Sequence, residues 1–297
     1  MIYLFSTKWA TDQFIEGFAK TREHILFKPE ERTGQNEGLA ADRFYRFHWP
    51  EWDGTFPKDV EIAFQGIIRN THELYAKCLE TKTKFYYFDQ PYFFASDYQL
   101  HKKFKDIWYR VIVNNTQKNF ISHDQKYKDR YDEICKTTSK GITLQKWRKS
   151  GDHILVIPPS YHTARWYGID RADWENDIVK QLKRFTDREI KVRHKYIGNT
   201  DWGNKVRKPL IEDLKNCWAM VSWHSMCAVE AIMNGVPSFT SPHSPASPVS
   251  LPLYNLDSIE NPHMPDREQW LYSLLGAQFT KSEMQSGYAY SFLQDEK

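Results

Sequence analysis

The stretch that most constrains this chain is Trp218–Phe239, Trp-Ala-Met-Val-Ser-Trp-His-Ser-Met-Cys-Ala-Val-Glu-Ala-Ile-Met-Asn-Gly-Val-Pro-Ser-Phe. Trp218 to Val221 is a short apolar run of the length expected for a buried strand. Ser222-Trp223-His224-Ser225 is a polar elbow. Met226–Met233 then reads as a helix, stopped by Asn234-Gly235 with Pro237 just beyond, and Val236–Phe239 reads as the next strand. A strand, a tight polar turn and a helix N-terminus bring unpaired amides and the positive end of a helix dipole to one place, which suits an anion. Glu230 falls about one and a half turns into that helix, at the 3.6-residue period, where a carboxylate can meet a ribose hydroxyl. The competing reading of the same residues is a plain N-cap serine in an ordinary α/β unit.

The rest of the second half alternates in the same way. His153–Ile157 is a strand broken by Pro158-Pro159-Ser160. Asp170 caps a helix running to about Phe185, with Asp173 in its first turn. Glu189–Arg193 is a strand running into His194-Lys195, and a helix starts at Pro209 and runs to Asn216. Strand and helix in alternation predict a parallel, Rossmann-like sheet. Ser241–Pro252, dense in proline and serine, reads as irregular. After Pro265 come two helices, Arg267–Leu275 and one capped by Thr280 with Glu283 as a capping box.

The first half follows a similar plan. Ile2–Ser6 is a strand, about Thr11 to Ala19 a helix, and His24–Phe27 a strand. Glu30–Gly38 reads as an exposed loop. Val60–Gln65 is a strand ending at Gly66, followed by a helix over Ile67–Leu79 with Arg69 in its first turn. Phe85–Phe88 is a strand ending at Asp89, and Tyr109–Asn114 is another. In open α/β sheets, ligands gather beyond the carboxyl ends of the strands, so Gly66, Arg69 and Asp89 are expected on one rim. The polar, basic, glycine-containing stretch Thr137–Gly151 is the expected linker. It divides the chain into residues 1–150 and 151–275, with the final segment 276–297 expected to pack back toward the N-terminal domain.

Charge is uneven. Of 41 Lys and Arg, 13 lie in Gln99–Lys149 against five Asp and Glu, although the whole chain carries only +3. Lys102, Lys103 and Arg110 fall there, interleaved with Phe104, Trp108, Tyr109 and Phe120. Basic residues among aromatics suit a polyanion with faces to stack on, a nucleic acid; a solvated helix surface over core aromatics is the bland alternative. No run approaches the roughly 20 apolar residues that span a bilayer, so no membrane partner is expected. The N-terminus lacks the layout of a signal peptide, and the expected location is the cytoplasm. Cys78, Cys135, Cys217 and Cys227 lack metal-type spacing and read as reduced. No zinc motif, Walker loop or G-x-G-x-x-G is present, and no obligatory metal is expected.

Chemistry that expels a diphosphate from such an anion site requires a stabilised leaving group and a base for the acceptor hydroxyl. The turn at Ser222–Met226 meets the first need, with Arg193 and Lys195 at a strand end as cations. Asp89, after four aromatics, is the candidate base, desolvation being the means of raising its pKa, with an Asx-type cap ahead of Pro91 as the alternative. If the acceptor is a base in a duplex, it must leave the stack before it is modified, and Tyr92 and Phe93 are candidates to receive it.

The pattern Ser-Trp-His-Ser-x-x-x-Val-Glu-Ala-Ile-x-x-Gly-Val-Pro resembles the donor motif of GT-B glycosyltransferases, particularly the capsule-polysaccharide type. That resemblance implies a GT-B fold, two Rossmann-like domains with a cleft between them. It also implies that the turn holds the diphosphate and the glutamate the ribose, which carries over to Ser222, His224, Ser225, Met226 and Glu230. Further segments are similar to a family of bacteriophage-encoded glycosyltransferases: Ala63-Phe-Gln-Gly-Ile-Ile-Arg69, Phe85–Phe93, Tyr109–Asn114, Asp266-Arg-Glu-Gln-Trp270 and Gln278–Gly287. Their likeness implies a UDP-sugar donor, with hydroxymethylated pyrimidines in double-stranded phage DNA as acceptor. Gln90-Pro91 departs from the commoner Asp-His-Gly-Tyr-Phe form. Two other readings stay open: a transferase or epimerase acting on a polysaccharide or small molecule, and a non-catalytic nucleic-acid-binding protein.

Overall fold

The structure, a computed structural model, describes residues 1–7, 12–32, 46–67, 71–93, 107–137, 142–194 and 209–296. Two compact units make up the chain, one formed by Met1–Thr116 with Ala277–Lys297 and the other by Gln117–Gly276. Residues 117–150, which the sequence groups with the first half, therefore belong to the second unit.

The first unit opens with β1 (Ile2–Phe5), α1 (Asp12–Phe18), β2 (His24–Phe27), β3 (Glu30–Arg32) and β4 (Arg46–His48). It continues with β5 (Glu61–Gln65), α2 (Thr71–Thr81), β6 (Phe85–Asp89) and β7 (Trp108–Val113). The second unit holds α3 (Gln125–Thr137), β8 (His153–Ile157), α4 (Tyr161–Trp166), α5 (Arg171–Leu182), β9 (Glu189–Val192) and α6 (Leu210–Asp213). It closes with β10 (Cys217–Ser222), α7 (Cys227–Met233), β11 (Ser238–Thr240), β12 (Leu251–Pro252) and α8 (Glu268–Gly276). The chain then re-enters the first unit as β13 (Gln278–Thr280), α9 (Lys281–Ser286) and α10 (Tyr288–Leu293).

In the first unit the sheet order is β2-β1-β5-β6-β7-β13. β2, β1, β5 and β6 are parallel, and β7 and β13 complete one side antiparallel. Side chains of a strand alternate between faces, and here both faces are covered. Tyr86 and Phe88 point to a core with Ile2, Leu4, Phe18, Met284 and Tyr290, whereas Phe85 and Tyr87 join Phe5, Ile62, Phe64 and Leu74 on the other side. The unbroken Phe-Tyr-Tyr-Phe run is thus what a strand buried on both faces requires.

In the second unit all strands are parallel, in the order β12-β11-β10-β8-β9. Ile154, Val156, Ala219 and Val221 pack with Ile178 and Leu182 of α5, and Trp218 and Phe239 extend that core. The Rossmann-like sheet read from the sequence is present. No helix among the described residues is long and apolar enough to cross a membrane.

Four local expectations are corrected. Glu30–Arg32 is not loop but pairs antiparallel with β4. Ser241–Pro252 contains a 3-10 turn at Ser247–Val249 and the edge strand β12, so the proline-dense stretch holds short regular structure. The expected linker is pinned: Gln145 N–H donates to Met233 O and Arg148 N–H to Gly235 O, both at 2.9 Å, which satisfies carbonyls at the end of α7. Finally, the last expected helix is two, because Gly287 adopts φ +82 between α9 and α10. The capping box itself is formed, Thr280 Oγ1 accepting from Glu283 N–H at 3.2 Å and Glu283 Oε2 from Thr280 N–H at 2.7 Å.

Candidate functional site

Numbered within its own unit, the second sheet has strand order 2-1-3-4-5, so the chain leaves β8 toward one side and β10 toward the other. The connections after those two strands run to opposite sides of the pair, and the crevice at the carboxyl ends of such a switch point is the usual ligand position of this topology. Pro158-Pro159-Ser160 emerges from β8, and Trp223-His224-Ser225 from β10. Ser160 caps α4 by accepting from Thr163 N–H at 3.2 Å. Ser225 precedes Met226, the N-cap of α7; its Oγ accepts from Cys227 N–H at 3.1 Å and its carbonyl from Ala228 N–H at 3.0 Å. Ser225 thus ties down the turn before α7 without being its N-cap. The helix has only seven residues, so its dipole alone makes a modest anion site.

What distinguishes the crevice is its unpaired polar groups. Ser222 Oγ, Trp223 Nε1 and Ser241 Oγ are buried without a hydrogen-bond partner. Ser222 and Ser241 are fully buried at 0% exposure, and such groups are ordinarily satisfied. Ser241 follows β11, and its N–H donates to Trp223 O at 3.0 Å, tying the two strand ends together. Above them lies a set of rings. Tyr167, at the end of α4, stacks on His243 (centroids 4.8 Å apart) and contacts His224 at 5.9 Å and Trp223 at 6.1 Å.

On the β9 side the groups are charged. Arg193 N–H donates to Val156 O at 2.9 Å, extending the ladder past β9, and its guanidinium is held by the Asp213 carboxylate of α6. Glu230 is exposed, yet the surrounding protein desolvates its carboxyl enough to push its pKa up, with Arg193 pulling the other way. Arg193 and Glu230 thus feel one another across the rim. Lys195 lies outside the described residues.

The first unit carries its own rim. Gly66 (φ +72, with open space where a Cβ would stand) follows β5, and Asp89 ends the neighbouring β6. Gly66 N–H donates to Phe88 O at 3.0 Å. Arg69, Lys102 and Lys103 lie outside the described residues. Arg110 does not face solvent: it is 4% exposed, opposite Asp89 in the β6–β7 register, and Nη2 donates to Asp89 Oδ2 at 2.6 Å. Its Nη1 donates to Gln90 O at 2.8 Å, and its guanidinium lies 5.3 Å from the Tyr92 ring centroid and 5.9 Å from that of Tyr87. Tyr87 OH also donates to Asp89 Oδ2 at 2.8 Å, and Gln90 N–H to Oδ1 at 2.8 Å. Burial alone would lower the pKa of Arg110, but Asp89, then Tyr92 and Tyr87, outweigh it and hold the guanidinium above its usual value. Burial and then Asp89 drive the Tyr87 hydroxyl well above its own. Tyr92 is buried, and Gln278 Oε1 fixes its backbone and that of Phe93 by accepting both N–H groups at 2.8 and 3.0 Å.

These contacts change how several sequence features read. Asp89 is not bare beside aromatics, since three donors occupy its oxygens. Of the basic residues in Gln99–Lys149, Arg110, Lys118 and Arg130 are buried. Lys118 donates to Tyr127 OH at 2.9 Å over the Phe120 ring, so part of the charge excess serves the interior. Arg267 of the Asp266–Trp270 segment donates to Gln145 O and Ile232 O and stacks on Trp147, and Trp270 Nε1 donates to Pro245 O: both build the unit. Tyr167, Ser241, His243 and Asp213 were not singled out in the sequence. Ser241 was within reach of the carboxyl-end rule had it been applied after every parallel strand; Tyr167 and Asp213 come in from helices and had no local signal.

Among the described residues no group of three or more His, Cys, Asp or Glu is placed to hold a metal ion. No protein-family model matches the chain, and no curated protein matches it. Among solved structures, the β-Kdo 2,4 transferase of KpsC from Thermosulfurimonas dismutans matches at TM-score 0.45 and 12% identity, over 92% of this chain and 89% of that one. The β-Kdo 2,7 transferase of the same KpsC matches at TM-score 0.46 and 9% identity, over 98% and 99%. At such loose superposition no residue role or chemistry transfers from them.

Proposed function

We propose that the chain is a glycosyltransferase of the GT-B kind that takes a UDP-sugar through the second unit. The observation that carries this reading is the β8–β10 switch point, where the buried, unpaired Ser222 Oγ and Trp223 Nε1 adjoin Ser225. It sits on the residues that resemble a donor-nucleotide motif. In this reading the Ser222–Met226 turn, with His224, lies along the diphosphate, Arg193 and Lys195 supply cations as the leaving group gains charge, and Glu230 accepts from the ribose.

The first unit serves the acceptor. A carboxylate offers about four acceptor positions, and three donors already use Asp89. The position left on Oδ1 is the one we assign to the acceptor hydroxyl, whose proton Asp89 receives as base. Gly66 follows the neighbouring strand end, Tyr92 and Phe93 come just after Asp89, and Arg69 is assigned to grip phosphate. The acceptor in this reading is a hydroxymethylated pyrimidine in double-stranded DNA, on the resemblance of the phage-like segments. Lys102 and Lys103 are its backbone contacts, whereas Arg110 supports Asp89 and does not touch DNA.

The test combines binding with turnover. A native-state ligand at 100 times its Kd stabilises by about 2.7 kcal/mol, so millimolar UDP should raise the melting temperature. Incubation with nucleotide sugars and with modified or unmodified DNA, followed by nucleoside mass measurement, then reads transfer. UDP stabilisation with no mass change on any DNA would assign the donor half correctly and the acceptor wrongly. Absence of any UDP effect would overturn the transferase reading.

A further inference from the structure

The donor crevice has two chemically different flanks. β9 and β11 lie on opposite sides of the β8–β10 pair. The β9 flank carries the charged Arg193 and, within its field, Glu230. The β11 flank carries a serine hydroxyl, Ser241, and the indole N–H of Trp223, both buried and both without a partner, joined through the Ser241 N–H to Trp223 O bond. Pro242 and His243, exposed, follow Ser241 directly, and His243 is stacked on Tyr167.

Unpaired buried hydroxyl and N–H groups destabilise a fold, so their presence together calls for a cause. Both are neutral hydrogen-bonding groups, suited to the hydroxyls of a sugar, while the stacked Tyr167 ring offers an apolar face. A phosphate would instead favour the cationic flank.

We propose that Ser241 and Trp223 form the subsite for the transferred sugar, reading hydroxyls of an uncharged pyranose, with Tyr167 exchanging its stack on His243 for the sugar face. This rests on the nucleotide-sugar reading of the crevice and adds residues and a sugar class to it.

The experiment measures the affinity of the full chain for UDP and for UDP-glucose, together with its melting temperature, in the wild type, Ser241→Ala and Trp223→Phe. Ser241→Ala removes an unpaired group while nearly keeping shape, so it should not melt lower than the wild type in the absence of ligand, whereas Trp223→Phe also shortens the ring and is read by affinity alone. The expected result is a loss of about tenfold in UDP-glucose affinity in each variant, the size of one hydrogen bond of about 1.4 kcal/mol, with the UDP affinity of Ser241→Ala, which lies outside the diphosphate turn, changed less than twofold. The subsite is overturned if Ser241→Ala weakens both ligands equally, or if either variant binds UDP-glucose as the wild type does. A wild type that binds UDP but not UDP-glucose also overturns it, leaving the nucleotide reading intact. A wild type that binds neither removes that reading and this one with it.

Discussion

At the residue scale, two carboxylates behave differently for reasons their neighbours set. Asp89 is oriented by Arg110, Tyr87 and Gln90. Replacing it by Asn leaves a nearly buried guanidinium without its counter-charge, a change that costs about 2–3 kcal/mol when the missing partner is itself partly solvated. Asp89→Asn should therefore lower the denaturation midpoint as well as abolish transfer, while UDP affinity stays unchanged. The double variant with Arg110→Met should recover more than about 1 kcal/mol of that loss in a double-mutant cycle; strict additivity would deny the pair its supporting role. Glu230 is the reverse case. Its folded-state pKa is raised by desolvation, so the folded protein releases this proton less readily than the unfolded chain. Stability contributed by this group therefore falls as pH rises from the unfolded carboxyl value toward the folded one, and the deficit persists above it. Glu230→Gln should melt higher than the wild type at pH 7, the gain should fade below about pH 4, and nucleotide affinity should drop. A variant that melts no higher at pH 7 would show that its carboxylate is not desolvated in the fold.

At the element scale, the second unit depends on how α7 ends. Gly235 has φ +75, and a Cβ there would collide with the Lys146 carbonyl oxygen of the pinned connection. Gly168 has φ +64 with open space around it. Both glycines carry the left-handed cost of about 1–2 kcal/mol on replacement by Ala, but only Gly235 adds overpacking. Gly168→Ala should thus lose about 1 kcal/mol and Gly235→Ala about 3 kcal/mol or more in denaturant unfolding. Equal losses would mean that the connection gives way easily. Much of this scale was legible: the Asn234-Gly235 stop, the Asp170 cap and the Thr280–Glu283 box are local chemistry, and each is formed between residues a few positions apart. What was not legible was the pairing partner. Nothing local in Gln145–Arg148 announces that its amides answer the last carbonyls of α7, and nothing in Glu30–Arg32 names β4 as its mate, because those bonds are chosen by the packing of distant segments.

At the scale of the whole molecule, the second unit is one continuous stretch, Gln117–Gly276, whereas the first is completed only when the chain returns. Phe279, Met284, Tyr290 and Leu293 are fully or almost fully buried in the first core, and β13 covers the free side of β7. Expressed alone, residues 117–276 should unfold cooperatively and still be stabilised by UDP. Residues 1–116 should fold only when 277–297 are supplied, since the fragment would expose an open strand edge and an apolar face. Circular dichroism melts of the two fragments decide this; a cooperative transition in 1–116 alone would show that the returning segment is dispensable.

The sequence by itself determined the alternation of strands and helices, the parallel Rossmann-like character of residues 151–275 and the polar turn after β10, because apolar period, caps and breakers act over a few residues. Strand order, and with it the switch point that makes that turn a crevice, was decided only in three dimensions. So was the fate of the charges: Arg110 and Lys118 look like surface cations in a basic run, yet Asp89 draws one inward and Tyr127 and Phe120 shelter the other. Burial is a property of what packs around a residue, and that information is spread over the whole chain.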